Sequence, residues 1–545
     1  MIGTEPSGRK TSFNVWGGVL VLVLLGMAAS AGGLIAARPQ LALLLLGFVV
    51  VIGYALFAHV RPFAAFVVVV VFALSVWMSG ITVLPGISIM IGAGFVFIAV
   101  WISRLAFHTM AFVKAKEYGW LLGLAAVVVA STLFNLGGKA GIASVFTYLQ
   151  LFLLLVLVVN LATTSARLYT LSIVIVVSSA LIAVLILLDQ FQLLPSGLVS
   201  QQAGNVIVEE GKLAVARAGG VWGDANFTAV QLTVALPFLL EWWSATHKVR
   251  GRLLLLSAAA AIVAALTFTL SLTGLIGLLM VLFTRAIVNT QRDVLFKILQ
   301  IVFGVIITAG VLFMVLPDLY VQRVVTFFEL VLDVAHTLDV NLLLSAGTNR
   351  GDTWQAAIKS ILSSPLLGHG PGNSTFVNVQ YSLIRGNIVY GVSGGMLGSH
   401  NMFLSVGSDL GLVGLALFAG LLISALIMTS RSWRMQTENT FLQRTGRALF
   451  IALVAYTVQG QALDIHNLKV LWIMLGMAIA YKRQQTSEII SLNVEMVKDR
   501  QSVAENLEMI PSGNGKTVEI PSDAGAAGVL LPPTETPKEL QPDPG

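Results

Sequence analysis

From Trp16 onward the chain alternates long apolar stretches with short polar interruptions. The stretches run to about 18–22 residues, enough for a helix to cross a hydrocarbon core of roughly 30 Å. They predict spans near 16–37, 40–58, 62–82, 86–106, 118–136, 143–163, 168–190, 227–245, 253–270, 272–288, 296–317, 400–430, 447–464 and 467–482, about 14 in all. The ninth and tenth meet at Thr269-Leu-Ser-Leu-Thr-Gly274, which reads as a tight turn or a kink. Open strands leave backbone groups unsatisfied in lipid, and the alternation of a membrane barrel is absent, so the spans are expected to be helices. The expected fold class is therefore all-α: a polytopic helical membrane protein.

Two segments break the rhythm, about 191–226 and about 318–399. Both are too long for simple connectors, and long ordered loops tend to carry function. Past Arg483 the chain turns polar; a charged stretch to Ile510 reads as a surface helix, and the proline-rich 511–545 as disordered. This gives an N-terminal segment 1–15, a membrane domain 16–483 and a tail 484–545.

Composition agrees. The chain is 57% hydrophobic and 11% charged, with a mean hydropathy of +0.88, against about a quarter charged for soluble domains. The net charge of +6 is no sign of a nucleic-acid partner, because the basic residues cluster in alternate short loops. With Arg9 and Lys10 inside, Arg61, Arg104, Arg167, Arg250, Arg292, Arg434 and Arg483 also fall inside, while the short outward loops hold only Arg38 and Lys139. Both termini then lie in the cytoplasm, and 191–226 and 318–399 face outward. No cysteine is present, which excludes disulfides and thiolate chemistry. Asp, Glu and His show no metal-ligand spacing, so neither metal nor cofactor is expected.

Topology sorts the polar chemistry. His59, His108 and His247 fall in basic inward loops. His400 stands at the start of an apolar span, where the positive end of the helix dipole favours neutral imidazole, the form a general base needs. The plainer reading is that Ser399 or His400 caps that helix. Arg217, Arg323, Arg350 and Arg385 stand out in outward loops otherwise poor in arginine, either as loop charges or as forks for a phosphate. Asp224 and Asn226 either orient a sugar or cap the helix beginning near Phe227. Gly368-His-Gly-Pro-Gly372 lacks the lysine and the preceding strand of a nucleotide loop, and reads as a turn-rich strut. His369 within it is a weaker second candidate for the base. Asp409 lies nine positions past His400, about 13 Å along a helix, too far to orient it. Gln459, Gln461, Asp464 and His466 put polar groups at the outer end of a late span, lining a cavity or reaching the interface.

Arg350…Trp354…Pro365-Leu-Leu-Gly-His-Gly-Pro-Gly-Asn373…Ser399-His400-Asn401 resembles the large extracytoplasmic loop of the O-antigen ligase/polymerase superfamily. Arg217-Ala-Gly-Gly-Val-Trp-Gly-Asp-Ala-Asn226 looks like the Arg-x-x-Gly…(Asp/Asn)-x-Asn entry to a span in the same family. The resemblance covers roughly 210–420. It implies a GT-C-like fold and transfer of a glycan from a polyprenyl-pyrophosphate carrier to a glycan, lipid or protein acceptor, at the outer face of a bacterial plasma membrane. His400 would be the base, Arg217, Arg350, Arg385 and Arg323 would hold pyrophosphate, and Asn226, Asp224, Asn401 and His369 would support the acceptor or the site. One departure stands out. Where the family often carries Ser-Arg-Gly between two mid-chain spans, this chain reads Ser271-Leu-Thr-Gly274, so either another cation fills that role or the phosphate site differs. A transporter is the competing class. Its expected marks, paired mid-span charges and repeated broken helices, are not what this sequence shows.

Overall fold

The computed structural model describes residues 82–84, 87–88, 112–136, 141–194, 200–208, 211–220, 223–289, 350–382, 397–431 and 440–508. The spans expected at 16–37, 40–58 and 296–317, and nearly all of those at 62–82 and 86–106, lie outside these residues. The described part is helical apart from two antiparallel hairpins. Thr82–Leu84 (β1) pairs with Ile87–Ser88 (β2), beside the expected start of the span at 86–106. Ser200–Val208 (β3) pairs with Gly211–Gly220 (β4), Gln202 opposite Arg217. This second hairpin fills most of the first long loop.

The helices are Tyr118–Phe134 (α1), Gly141–Leu161 (α2), Ser165–Gln190 (α3), Ala225–Ala245 (α4), Val249–Phe268 (α5), Leu272–Asn289 (α6), Arg350–Ser363 (α7), Ser374–Tyr381 (α8), Met402–Ser430 (α9), Thr440–Gln459 (α10) and Lys469–Glu508 (α11). Four of the described helices are long and apolar enough to cross a membrane: Ser144–Leu161, Ser165–Gln190, Val249–Phe268 and Met402–Ser430. The chain divides into two compact units, residues 1–488 and 489–545. The helix ending near 482 in the sequence reading instead continues to Glu508, because the charged stretch that follows is itself a good helix former.

Helix starts follow from capping. Thr164 Oγ1 accepts the Arg167 N–H at the head of α3, Asp224 Oδ1 the N–H groups of Asn226 and Phe227 at α4, and Asn401 Oδ1 those of Phe403 and Leu404 at α9. The α5–α6 joint is a tight turn with Leu270 in the left-handed region (φ 48°), not a kink in one helix. Within the first unit, α10 packs on α4 and α6, α3 on α4 and α5, and α1 and α7 on α9. Val470 to Tyr481 of α11 are all buried, as expected of a helix that is apolar on every side. Glu241 of α4, 1% exposed, lies between Arg285 of α6 (3.4 Å) and Arg447 of α10 (3.2 Å). That ion cluster joins three helices about 22 Å along α4 from Asn226, at 1.5 Å per residue.

Candidate active site

The loop 397–401 is pinned from three directions. Leu397 N–H donates to the Thr375 carbonyl (2.7 Å), and Asn378 Nδ2 donates to the Leu397 carbonyl (3.3 Å). Thr353 Oγ1 of α7 donates to the Ser399 carbonyl (3.4 Å). From the third side Asp464 takes Ser399 Oγ–H (2.6 Å) and Asn401 N–H (3.0 Å) on Oδ1, and His400 N–H (3.0 Å) on Oδ2. Gly460 accepts the Met402 N–H at 2.7 Å, and Gln461 accepts from Asn401 Nδ2 through its carbonyl at 3.1 Å. His400 is itself exposed, at φ 50°. A non-glycine residue persists there only when its surroundings hold it.

This arrangement corrects the capping alternative. Neither Ser399 nor His400 caps α9; Asn401 does, and the Ser399 hydroxyl goes to Asp464 instead. Asn401 is thereby committed to the helix and to Gln461.

The Pro365–Asn373 segment lies against α9 where that helix breaks. Gly411 (φ 69°, ψ −174°) divides α9 in two, and a Cβ there would strike the Leu366 carbonyl group. Across the break, Leu412 N–H donates to the Pro365 carbonyl (2.7 Å), His369 N–H to Ser408 (3.0 Å) and Gly370 N–H to Asp409 (2.9 Å). The Asp409 carboxylate accepts the N–H groups of Gly372 and Ser374, both at 2.9 Å, and so caps α8. Ser131 of α1 adds a bond to the Leu367 carbonyl at 2.5 Å. The glycine-rich stretch is thus a strut, with its N–H groups at 368, 369, 370 and 372 engaged inside the protein. His369 Nε2 lies 3.0 Å from both Ser363 Oγ and the Ser360 carbonyl, and ties the end of α7 to the strut.

Arg217 is buried. Its Nε donates to the Thr269 carbonyl (2.9 Å) and its Nη2 to Asn226 Oδ1 (3.0 Å), which also accepts the Ser271 hydroxyl (2.9 Å). The guanidinium therefore lies against the α5–α6 turn, where the sequence reading missed an arginine. Asp224 caps α4, and Asn226 holds Arg217. The Arg350 backbone opens α7, with its side chain outside the described residues, and Arg323 and Arg385 also lie outside them.

The O-antigen ligase family model matches residues 228–419, from the first turn of α4 to within α9. That match supports membership of the O-antigen ligase superfamily. The matched domain supports O-antigen ligase-like glycan transfer at the family level, and the apolar helices fit an integral membrane protein. No curated protein matches the chain. The ligase domain includes His400 and the strut, whereas Arg217, Asn226 and Asp464 fall outside the matched residues and join it through the fold. Sequence reasoning noticed Asp464 only as one of four polar residues ending an apolar span; that polarity was the available signal.

Proposed function

We propose that this protein transfers a glycan from a polyprenyl-pyrophosphate carrier to an acceptor hydroxyl at the outer face of the bacterial plasma membrane. The acceptor oxygen attacks the anomeric carbon and its proton passes to the His400 imidazole. The bond from that carbon to the pyrophosphate oxygen breaks, and polyprenyl pyrophosphate leaves as an anion. Attack opposite the leaving group inverts the anomeric configuration. Arg217 and Arg350, with Arg323 and Arg385, supply the positive donors for the departing charge in place of a metal ion. Two N–H groups of Arg217 fix the plane of its fork against Thr269 and Asn226.

The observation that carries the reading is the setting of His400. It is exposed and in a left-handed backbone conformation, while the groups on either side of it are tied to Asp464, Gln461 and Thr353. A base needs that combination of fixed position and open approach. Lipid A-core is the acceptor for a ligase; a growing polysaccharide or a protein hydroxyl calls for the same donor chemistry.

The test is purified protein in detergent with a polyprenyl-pyrophosphoryl oligosaccharide and an acceptor, read by released polyprenyl pyrophosphate and by the anomeric configuration of the product. His400→Ala is expected to lose about 10²–10⁴-fold in rate. A variant at equal protein level that keeps more than about a tenth of the rate would remove His400 from this role.

A further inference from the structure

Gln459 closes α10 and is 0% exposed. Its Nε2 donates to the Thr273 carbonyl of α6 and to Thr233 Oγ1 of α4, both at 3.1 Å. Thr273 stands two residues past Ser271, which shares the Asn226 amide oxygen with Arg217. On the other side, the residue after Gln459 is Gly460, whose carbonyl takes the Met402 N–H two residues past His400. One buried carboxamide therefore stands between the turn that seats Arg217 and the loop that carries His400.

Packing does not call for an amide at this position. Leucine fills nearly the same volume and carries no desolvation cost. The neighbouring helix nevertheless gives up a side chain for the amide: a Cβ on Gly277 of α6 would overlap Gln459 Nε2 and Cδ. The carboxamide is held between α4 and α6 by bonds to Thr233 and Thr273, on the Arg217 side, and the His400 side is reached through the backbone of the next residue, Gly460.

We propose that Gln459 is a positioning residue for glycan transfer, setting the spacing between the Arg217 turn and His400. The inference rests on the roles given above to those two residues. In an inverting displacement the base and the leaving-group cations act on opposite sides of one carbon, so their separation enters the barrier directly. A misplacement of about 1 Å costs on the order of 10²-fold.

Two variants disturb the seat without touching either end. Gln459→Leu deletes the amide, and Gly277→Ala pushes it off the Thr273 carbonyl from the opposite helix. Each is expected to lower kcat by about 10²-fold with donor KM within about twofold of wild type. Gln459→Leu combined with His400→Ala should lose no more than His400→Ala alone, since the spacing to His400 ceases to matter once the imidazole is gone. The inference is overturned if the variants lose thermal stability or yield while the folded protein keeps wild-type kcat, or if donor KM rises with kcat unchanged. If Gln459→Leu fails to insert, Gly277→Ala decides by the same readouts. Wild-type activity in His400→Ala would instead strike the reading of the base, which is a separate result.

Discussion

Asp464 Oδ2 accepts the backbone N–H of His400 at 3.0 Å, and the same carboxylate takes bonds from the residues on both sides of it. The contact links positions 64 apart in the chain and fixes the loop at His400, a residue that is itself exposed. Hydrogen bonds to a charged acceptor contribute about 1.5–3 kcal/mol each.

Asp464→Asn keeps the shape but turns one oxygen into a donor facing an N–H group. We expect kcat to fall about 10–10²-fold, with donor KM changed by less than about threefold. Steady-state kinetics on level-matched protein checks this. Unchanged kcat would show that the other pins suffice to hold His400.

The φ of 50° at His400 separates backbone from side-chain effects. An L-residue in the left-handed region costs about 1–2 kcal/mol, and glycine escapes that cost while gaining unfolded-state entropy worth about 0.4–1 kcal/mol. His400→Gly should therefore be more stable than His400→Ala by about 1 kcal/mol, with both lacking the imidazole and so both slowed to the same extent. Thermal unfolding in detergent compares the pair; an alanine variant as stable as the glycine one would mean that the loop relaxes out of this conformation.

The helices legible in the sequence were those whose apolar length alone defines them. Among the described spans, α1 to α6 begin and end within a few residues of their expected limits, since burial in lipid or protein needs only composition. The helices α7 and α8 were not legible: Arg350-Gly-Asp-Thr-Trp and Ser374-Thr-Phe-Val are polar or mixed, and their stability comes from α9 and from Asp409. His400 and Arg217 were visible by residue type and place. Their partners were not, because Asp464 to His400 and Arg217 to Thr269 are bonds across 64 and 52 positions, and a single sequence carries no sign of such pairings. Asp409 was set apart from His400 by helix geometry alone; its use in the fold, capping α8, depends on a break at Gly411 that no local pattern announces.

Arg217 offers a test of fork against charge. Lysine keeps the charge and cannot reproduce two fixed N–H bonds in one plane. Arg217→Lys should raise donor KM about tenfold or more, in line with the loss of one to two charge-assisted hydrogen bonds. Asn226→Ala should move donor KM in the same direction by a smaller factor, because it removes an oxygen that orients the guanidinium. Donor titration in both variants measures this, and a wild-type KM in Arg217→Lys would show that charge alone suffices.

Gly411 has the left-handed φ of 69° and no room for a Cβ beside the Leu366 carbonyl. Gly411→Ala should lower stability by about 1–3 kcal/mol and loosen the strut from α9. The expected readout is a reduced melting temperature with new proteolytic cleavage near residues 365–373. A variant that melts like wild type would mean that α9 can straighten without the strut.

His466 gives the pH dependence. Burial pushes its imidazole below the usual value, against the opposing pull of Asp464. Its ring stacks on Tyr148 at 6.2 Å, and its Nδ1 is buried without a hydrogen-bond partner. The folded state thus favours the neutral ring. Below the unfolded value of about 6.5 the unfolded chain takes a proton that the folded one refuses. The stability tied to His466 is therefore complete above about pH 6.5 and is lost as pH falls toward the lower folded value, by at most about 1.4 kcal/mol per pH unit. His466→Gln cannot titrate, so between pH 7.5 and pH 5.5 its melting temperature should fall less than that of wild type. Parallel curves for the two proteins would show that His466 takes up its proton in the folded state as readily as in the unfolded one, and that Asp464 cancels the effect of burial.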